Sequence, residues 1–196
     1  MGHSMGCLIS YHYAILYPQN VDLFLNLDGV IMWNMDRVPP MAAFMDSFPK
    51  FQEFALSTSE PPSYTLEQMR LMIHKPHNGS IDLKHADLLL ERSIAASKHD
   101  PGKYYFTRDP RLKFNDHFIL ATEDLREKSK NIVCPSLFVK FAQSSYSAAN
   151  TSLYDGLISI LPNAEFHIVE GTHHAHLNNP EKFAALLQQF MDKHYE

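Results

Sequence analysis

A serine flanked by two glycines near the start of the chain is the best candidate for a residue that forms a covalent bond with a substrate. Residues 2–6 read GHSMG, the G-x-S-x-G pattern of a serine on a sharp turn between a strand and a helix. The glycines suit a turn too tight for side chains beside the serine. Ser4 is therefore the candidate nucleophile, and the backbone N–H of Met5 is the candidate oxyanion donor. Taken alone, the five residues fit a glycine-rich turn without chemistry equally well.

A histidine near the other end of the chain is the candidate general base. His173 lies in the sequence GTHHAHL, after a predicted strand and before the last predicted helix. A loop in that position can bring an imidazole to a serine and accept its proton. Two alternatives stay open: surface or structural histidines, and a metal site at His173, His174 and His176. Since no carboxylate or cysteine lies at a useful spacing, we expect no metal and no cofactor.

The acid that would orient the base is not fixed by the sequence. The turn after the apolar run 137–139 reads FAQSS and contains no carboxylate. Asp28 instead follows the strand predicted after the first helix, and a buried carboxylate there would hold the His173 tautomer and stabilise the imidazolium. The sequence favours this role and a structural role at the strand end equally, with Asp155 as a third choice.

Apolar runs and helical spacing at both ends of the chain predict an α/β fold. Residues 8–17 have the spacing of a helix that ends at Pro18, and Pro180 begins the clearest helix of the chain. A further helix is predicted near 152–161. The predicted strands are 21–27, 137–139 and 166–169. Strands joined by helices indicate a mostly parallel sheet, of which about three strands are expected here.

The middle of the chain predicts a helical insertion into this core. We assign residues 1–30 and 131–196 to the core and 31–130 to the insertion, where prolines separate segments with helical spacing. Helices are predicted after Thr65, which forms a capping-box pattern with its third neighbour, and over 81–96.

Apolar residues at the start of the insertion are candidates for contact with a substrate. Met32 and Trp33 would roof an apolar pocket over Ser4, and methionine adapts to irregular shapes. Packing between the helices of the insertion is the alternative for most such residues.

Composition restricts the function classes further. The 196 residues are 45% hydrophobic and 20% charged, as in an ordinary globular protein. The formal net charge of −5 argues against a nucleic-acid partner. No run approaches the roughly 18 apolar residues of a membrane span. Cys7 and Cys134 lie far apart without a C-x-x-C spacing, which favours a reduced compartment, so we predict a cytoplasmic location with the peroxisome as the alternative.

Several stretches together resemble the α/β-hydrolase superfamily, and most closely its serine hydrolase-like (kraken-type) branch. They are residues 2–6, 17–28, 105–112 and 171–181, and the resemblance covers nearly the whole chain. It implies an α/β-hydrolase fold with a helical cap, and esterase-type cleavage of a small apolar ester or related acyl substrate through an acyl-enzyme. The base of this branch lies seven residues before the proline of the last helix, which selects His173. A serine disfavours dehalogenase and epoxide hydrolase activity, since those enzymes use aspartate.

The resemblance also predicts that the chain begins at the nucleophile turn of a longer protein. Only Met1 precedes Gly2, so we expect no incoming strand and no loop for the second oxyanion donor. Loss of one donor costs about 10²–10³ in kcat, which predicts weak or no activity for this chain alone. An open sheet edge would favour self-association. The alternative function is a catalytically silent binding module that keeps the fold.

Overall fold

Both ends of the chain contribute strands to one parallel sheet. The computed structural model describes residues 1–29, 41–77, 79–113, 122–145, 156 and 158–194. In chain order its strands and α-helices are β1 (Gly2–His3), α1 (Met5–Leu16), β2 (Phe24–Leu27), α2 (Met41–Leu56), α3 (Leu66–His74), α4 (Ala86–Leu90), β3 (Ile94–Ala96), β4 (Tyr104–Phe106), α5 (Thr122–Ser129), β5 (Ser136–Phe141), β6 (Ala164–Val169), α6 (Ala175–Asn178) and α7 (Pro180–His194). The chain divides into two units, Met1–Arg37 with Leu120–Glu196, and Val38–Ile119.

The first unit contains a four-stranded sheet in the order β1-β2-β5-β6. Every neighbouring pair is parallel. The sheet has one strand more than the three expected, because Gly2 and His3 pair with Asn26 and Leu27 of β2. The expectation that no strand enters the serine turn is therefore wrong: two residues are enough to register β1 against β2. Self-association through the β1 edge stays a prediction.

Helices cover both faces of this sheet. Successive residues of β2 point to opposite faces, so Phe24 packs with α1 and α5 while Leu25 packs with α7. Leu125 of α5 lies in the core of this unit, although the sequence assigned residues up to 130 to the insertion. On the first face the buried residues are Tyr11, Ala14, Ile15, Phe24, Leu125, Ile132, Phe138 and Leu161. On the second they are Leu25, Leu27, Leu137, Val139, Phe141, Ala175, Phe183 and Phe190.

The helices predicted for the first unit are found where the structure describes them. The first helix begins three residues earlier than predicted, at Met5, and Pro18 opens a short 3-10 turn after it. The last helix begins at Pro180 with Glu181 in its first turn, where an acidic side chain suits the helix dipole. Most of the helix predicted near 152–161 lies outside the described residues.

The second unit combines helices with a short hairpin. Thr65 forms the predicted capping box, accepting from the Gln68 N–H at 3.3 Å while Gln68 Oε1 accepts from the Thr65 N–H at 2.9 Å. The single helix predicted over 81–96 is wrong: α4 ends at Leu90, and β3 pairs antiparallel with β4. Gly102, with a φ of 80°, permits the turn between these strands, and the aromatic residues of β4 suit a strand. Among the described residues, no helix has both the length and the apolar character needed to cross a bilayer.

Candidate active site

Ser4 occupies a strained turn between β1 and α1. Its φ of 53° and ψ of −122° lie in a region that L-residues rarely adopt. The Ser4 N–H donates to the carbonyl of Leu27 at 3.2 Å, and the Ser4 carbonyl accepts from the Cys7 N–H at 2.9 Å. These hydrogen bonds hold the backbone of Ser4 between the end of β1 and the start of α1. The sequence predicts a strand-to-helix turn at this position.

Close packing explains Gly2 and Gly29 at this turn but not Gly6, so the expectation that the turn is too tight for a side chain is wrong for Gly6. A Cβ on Gly2 would lie 2.2 Å from the carbonyl oxygen of Gly6, and a Cβ on Gly29 would lie 1.9 Å from the side-chain Cβ of Cys7. The Cys7 thiol donates to the carbonyls of Gly2 at 2.9 Å and Leu27 at 3.2 Å. Burial raises the pKa of Cys7 to about 12, so this thiol stays protonated and acts as a structural donor beneath the turn.

The two glycines of the GHSMG stretch give a matched test of this packing. We expect Gly2→Ala to destabilise the chain by about 2 kcal/mol or more, because its Cβ meets backbone that cannot move aside. Gly6→Ala is expected to stabilise by about 0.5–1 kcal/mol, since a Cβ there meets nothing within 4 Å and alanine suits a helix better. Urea unfolding of both variants measures the difference, and equal effects would contradict the packing argument.

Asp28 and His173 form a buried hydrogen-bonded pair. Asp28 Oδ2 lies 2.6 Å from His173 Nδ1, with the two side chains 1% and 5% exposed. The other carboxylate oxygen accepts from the Phe141 N–H at 3.1 Å, and the Asp28 N–H donates to Val139 at 2.7 Å. Asp28 follows β2 with a φ of 46°, and its carboxylate is held beside the neighbouring strand β5. The structure thus pairs the histidine with the first of the two carboxylates considered.

The same pair determines the tautomer of the neutral His173 imidazole. Ser144 Oγ lies 3.5 Å from His173 Nδ1, much farther than the Asp28 carboxylate. Since a carboxylate accepts at Nδ1, the hydrogen-bond network assigns the proton of the neutral ring to Nδ1 and the lone pair to Nε2. An imidazole in this tautomer can accept a proton at Nε2.

His3 connects the loop after β6, which contains His173, to the serine turn. Its Nε2 donates to the carbonyl of His173 at 2.8 Å, and the two rings lie 4.5 Å apart. Because His3 directly precedes Ser4, this contact brings the loop after β6 to the end of β1. Ser4, Asp28 and His173 therefore follow parallel strands of one sheet, at the edge where the carboxyl ends meet. His3 was not among the residues predicted from the sequence, where its position inside the G-x-S-x-G pattern was its one signal.

The environment of His3 makes a pH effect on stability testable. Burial, and then the nearby His176, lowers the pKa of His3 from 6.5 to about 4, although the hydrogen bond to the His173 carbonyl and the charge of Asp28 act in the opposite direction. His174 also contacts the ring. The unfolded chain therefore binds a proton between these values that the folded chain does not, so stability falls as pH decreases from 6.5 towards 4.

Unfolding free energies at pH 7 and pH 5 measure this effect for the native chain and for His3→Gln. We expect the native chain to lose more stability between these pH values than the variant, which has no titrating group at this position. An identical loss in both proteins would contradict the assignment to His3.

The remaining predicted residues differ in how far the structure describes them. Met5 follows Ser4 as the first residue of α1, and its role as oxyanion donor stays a prediction. Met32, Trp33 and Asp155 lie outside the described residues, so the substrate contacts also stay a prediction.

The histidines of the alternative metal site are arranged differently from the sequence expectation. Ring nitrogens of His3, His173 and His174 lie within 4.8 Å of one another. The ring of His176 also lies beside His3, with the ring centres 4.1 Å apart, and it stacks on Phe141 at 6.1 Å, but its nitrogens are not part of that group.

Curated relatives of the chain are serine hydrolase-like proteins. A "probable serine hydrolase" of Drosophila melanogaster is 26% identical over 97% of this chain. A "serine hydrolase-like protein" of Danio rerio is 25% identical over the same share. The chain spans 59% of the length of each of these relatives. No protein-family model matches the chain.

Solved structures share the fold over nearly the whole chain. A hypothetical protein from Pseudomonas aeruginosa superimposes with a TM-score of 0.75 at 23% identity, covering 100% of this chain and 66% of that one. A thioesterase domain from the curacin biosynthetic pathway gives 0.72 at 14% identity, with 96% and 65% covered. For E-2-(acetamidomethylene)succinate hydrolase the values are 0.68, 16%, 97% and 65%. At these identities the likeness concerns the fold alone.

Proposed function

We propose that the chain is an α/β-hydrolase of the kind that its serine hydrolase-like relatives represent, and that Ser4, His173 and Asp28 are the catalytic triad of a carboxylic ester hydrolase. The observation that carries the proposal is the buried 2.6 Å hydrogen bond between Asp28 and His173. His173 lies in the loop after β6, and the hydrogen bond from His3 to its carbonyl holds that loop beside the serine turn. A hydrogen-bonded carboxylate–imidazole pair beside a strained serine is the arrangement that activates a hydroxyl nucleophile.

The proposed reaction proceeds in two stages. His173 Nε2 accepts the Ser4 proton as Oγ attacks the ester carbonyl carbon, and the imidazolium then returns the proton to the leaving alcohol. Asp28 stabilises the imidazolium through its hydrogen bond to Nδ1. In the second stage His173 deprotonates a water molecule that hydrolyses the acyl-Ser4 ester. The Met5 N–H donates to the oxyanion in both stages.

The proposed substrate is a small apolar ester or a related acyl compound. The methionine and tryptophan at positions 32 and 33 suggest an apolar pocket. One curated relative is named a probable serine hydrolase, a name that agrees with the proposed type of reaction and specifies no substrate. Covalent labelling of the serine reports its nucleophilicity directly and does not require the complete hydrolytic cycle.

A fluorophosphonate probe tests the proposal. The probe reacts with an activated serine, and we expect one adduct per chain, mapped by mass spectrometry of peptides to Ser4. Ser144 is the internal comparison, because it lies near the same imidazole on the Nδ1 side. Heat-denatured protein supplies the background. An adduct at Ser144, or labelling no faster than background, would overturn the triad and favour a catalytically silent module.

A further inference from the structure

Three histidines from two segments of the chain converge beside the serine turn. His3 ends β1, whereas His173 and His174 belong to the loop after β6, and one ring nitrogen of each lies within 4.8 Å of the others. Zinc binds imidazole nitrogens at about 2.0–2.1 Å in tetrahedral geometry, which places ligand nitrogens roughly 3.3 Å apart. Ring movements of the order of 1 Å would close the difference. Three imidazoles suit zinc and similar borderline metals rather than calcium or magnesium.

Hydrogen bonds already orient two of the three imidazoles as metal ligands. His173 holds its Nδ1 against Asp28 at 2.6 Å, which presents Nε2 as the ligand atom. His3 donates from Nε2 to the His173 carbonyl at 2.8 Å, which presents Nδ1. A zinc-bound histidine commonly has its second nitrogen bonded to a carboxylate or a backbone carbonyl, and one of each is present here.

We propose that His3, His173 and His174 bind one zinc ion and that the bound ion switches the hydrolase site off. The fourth ligand would be water, as in other three-histidine sites. Zinc at His173 Nε2 takes the lone pair that accepts the Ser4 proton in the proposed reaction. Inhibition therefore rests on the proposed function, but zinc binding does not.

Calorimetric titration with Zn²⁺ tests binding without any need for catalysis. We expect one ion per chain, both in the native chain and in Ser4→Ala. His174→Gln removes a ligand and is expected to weaken binding by more than about tenfold, and Asp28→Asn by about 10–100-fold through His173. His99→Gln, in an exposed loop of the other unit, is the matched control and should bind as the native chain does. Equal affinity in the native chain and His174→Gln would overturn the site.

A second ligand variant keeps the test sound if one substitution disturbs folding. His3→Gln is expected to weaken Zn²⁺ binding to a similar extent, and circular dichroism identifies any variant that does not fold. Absence of one-to-one binding in the folded native chain would also overturn the site.

Labelling by the fluorophosphonate probe separates the inhibitory claim from the binding claim. In the native chain, Zn²⁺ should block labelling of Ser4, and a chelator should restore it. The Zn²⁺ concentration that halves labelling is expected to rise at least about tenfold in His174→Gln, in step with its weaker binding. Unchanged labelling at saturating Zn²⁺, or zinc-dependent ester hydrolysis by Ser4→Ala, would overturn the inhibitory role. Binding of Zn²⁺ by a chain that the metal-free probe never labels would support the metal site and defeat the hydrolase proposal.

Discussion

Replacing Ser4 with alanine is expected to reduce covalent labelling to the level of denatured protein. In the proposed mechanism the Ser4 oxygen forms the covalent bond to the acyl group or to the probe, so the variant has no group that can form the adduct. Removing the serine of a comparable triad lowers kcat by about 10⁶, and a rate effect of this size is expected for ester hydrolysis by the active protein. The measurement is the rate of fluorophosphonate labelling under identical conditions. Labelling of Ser4→Ala at the native rate would rule out Ser4 as the nucleophile.

A glycine at the same position separates the chemistry from the backbone strain. The φ of 53° costs an alanine about as much as a serine, so Ser4→Ala should have nearly native stability. Glycine adopts this conformation freely, and Ser4→Gly is therefore expected to stabilise the fold by about 1 kcal/mol while remaining inactive. Thermal unfolding of the two variants measures the difference. A Ser4→Gly variant no more stable than Ser4→Ala would show that the turn stores no strain.

The positions of the candidate catalytic residues could be predicted from the sequence because each residue lies at the end of a predicted strand or helix. The helical spacing after Ser4 predicted α1, and Pro180 predicted the start of α7. Apolar runs marked β2, β5 and β6, since buried parallel strands have continuous apolar sequences. These local signals predicted the sheet and the approximate positions of Ser4, Asp28 and His173.

Contacts between distant segments could not be predicted from the sequence in the same way. The role of Asp28 depends on where its carboxylate points, and only the positions of β5 and the loop after β6 bring His173 to it. His3 has no periodicity or motif of its own that predicts its contact with that loop. The hairpin of β3 and β4 was mistaken for a helix because the apolar residues of 81–96 fit helical spacing, while the pairing partner lies across a turn at Gly102.

Asp28→Asn is the second substitution for which we expect a large effect. The asparagine amide is close in size to the carboxylate, and its oxygen can still accept from the Phe141 N–H as Asp28 Oδ1 does at 3.1 Å. Its NH₂ group would donate to His173 Nδ1, which moves the ring proton to Nε2 and removes the lone pair that accepts the Ser4 proton in the proposed mechanism. A comparable substitution in a serine triad lowers kcat by about 10⁴. We expect a large decrease in the labelling rate of this chain, and a loss of about 10⁴ in kcat wherever ester hydrolysis is measurable.

The tautomer of His173 distinguishes this mechanism from a purely structural role for Asp28. Nitrogen NMR shifts of the His173 ring should place the proton on Nδ1 in the native chain and on Nε2 in Asp28→Asn. Asp22→Asn makes the same change at an exposed carboxylate just before β2 and should leave both the tautomer and the labelling rate unchanged. If Asp28 served only to secure the strand end, its replacement would lower stability while labelling per folded molecule stayed within about tenfold of native. Retention of activity in Asp28→Asn would contradict a catalytic role for this carboxylate.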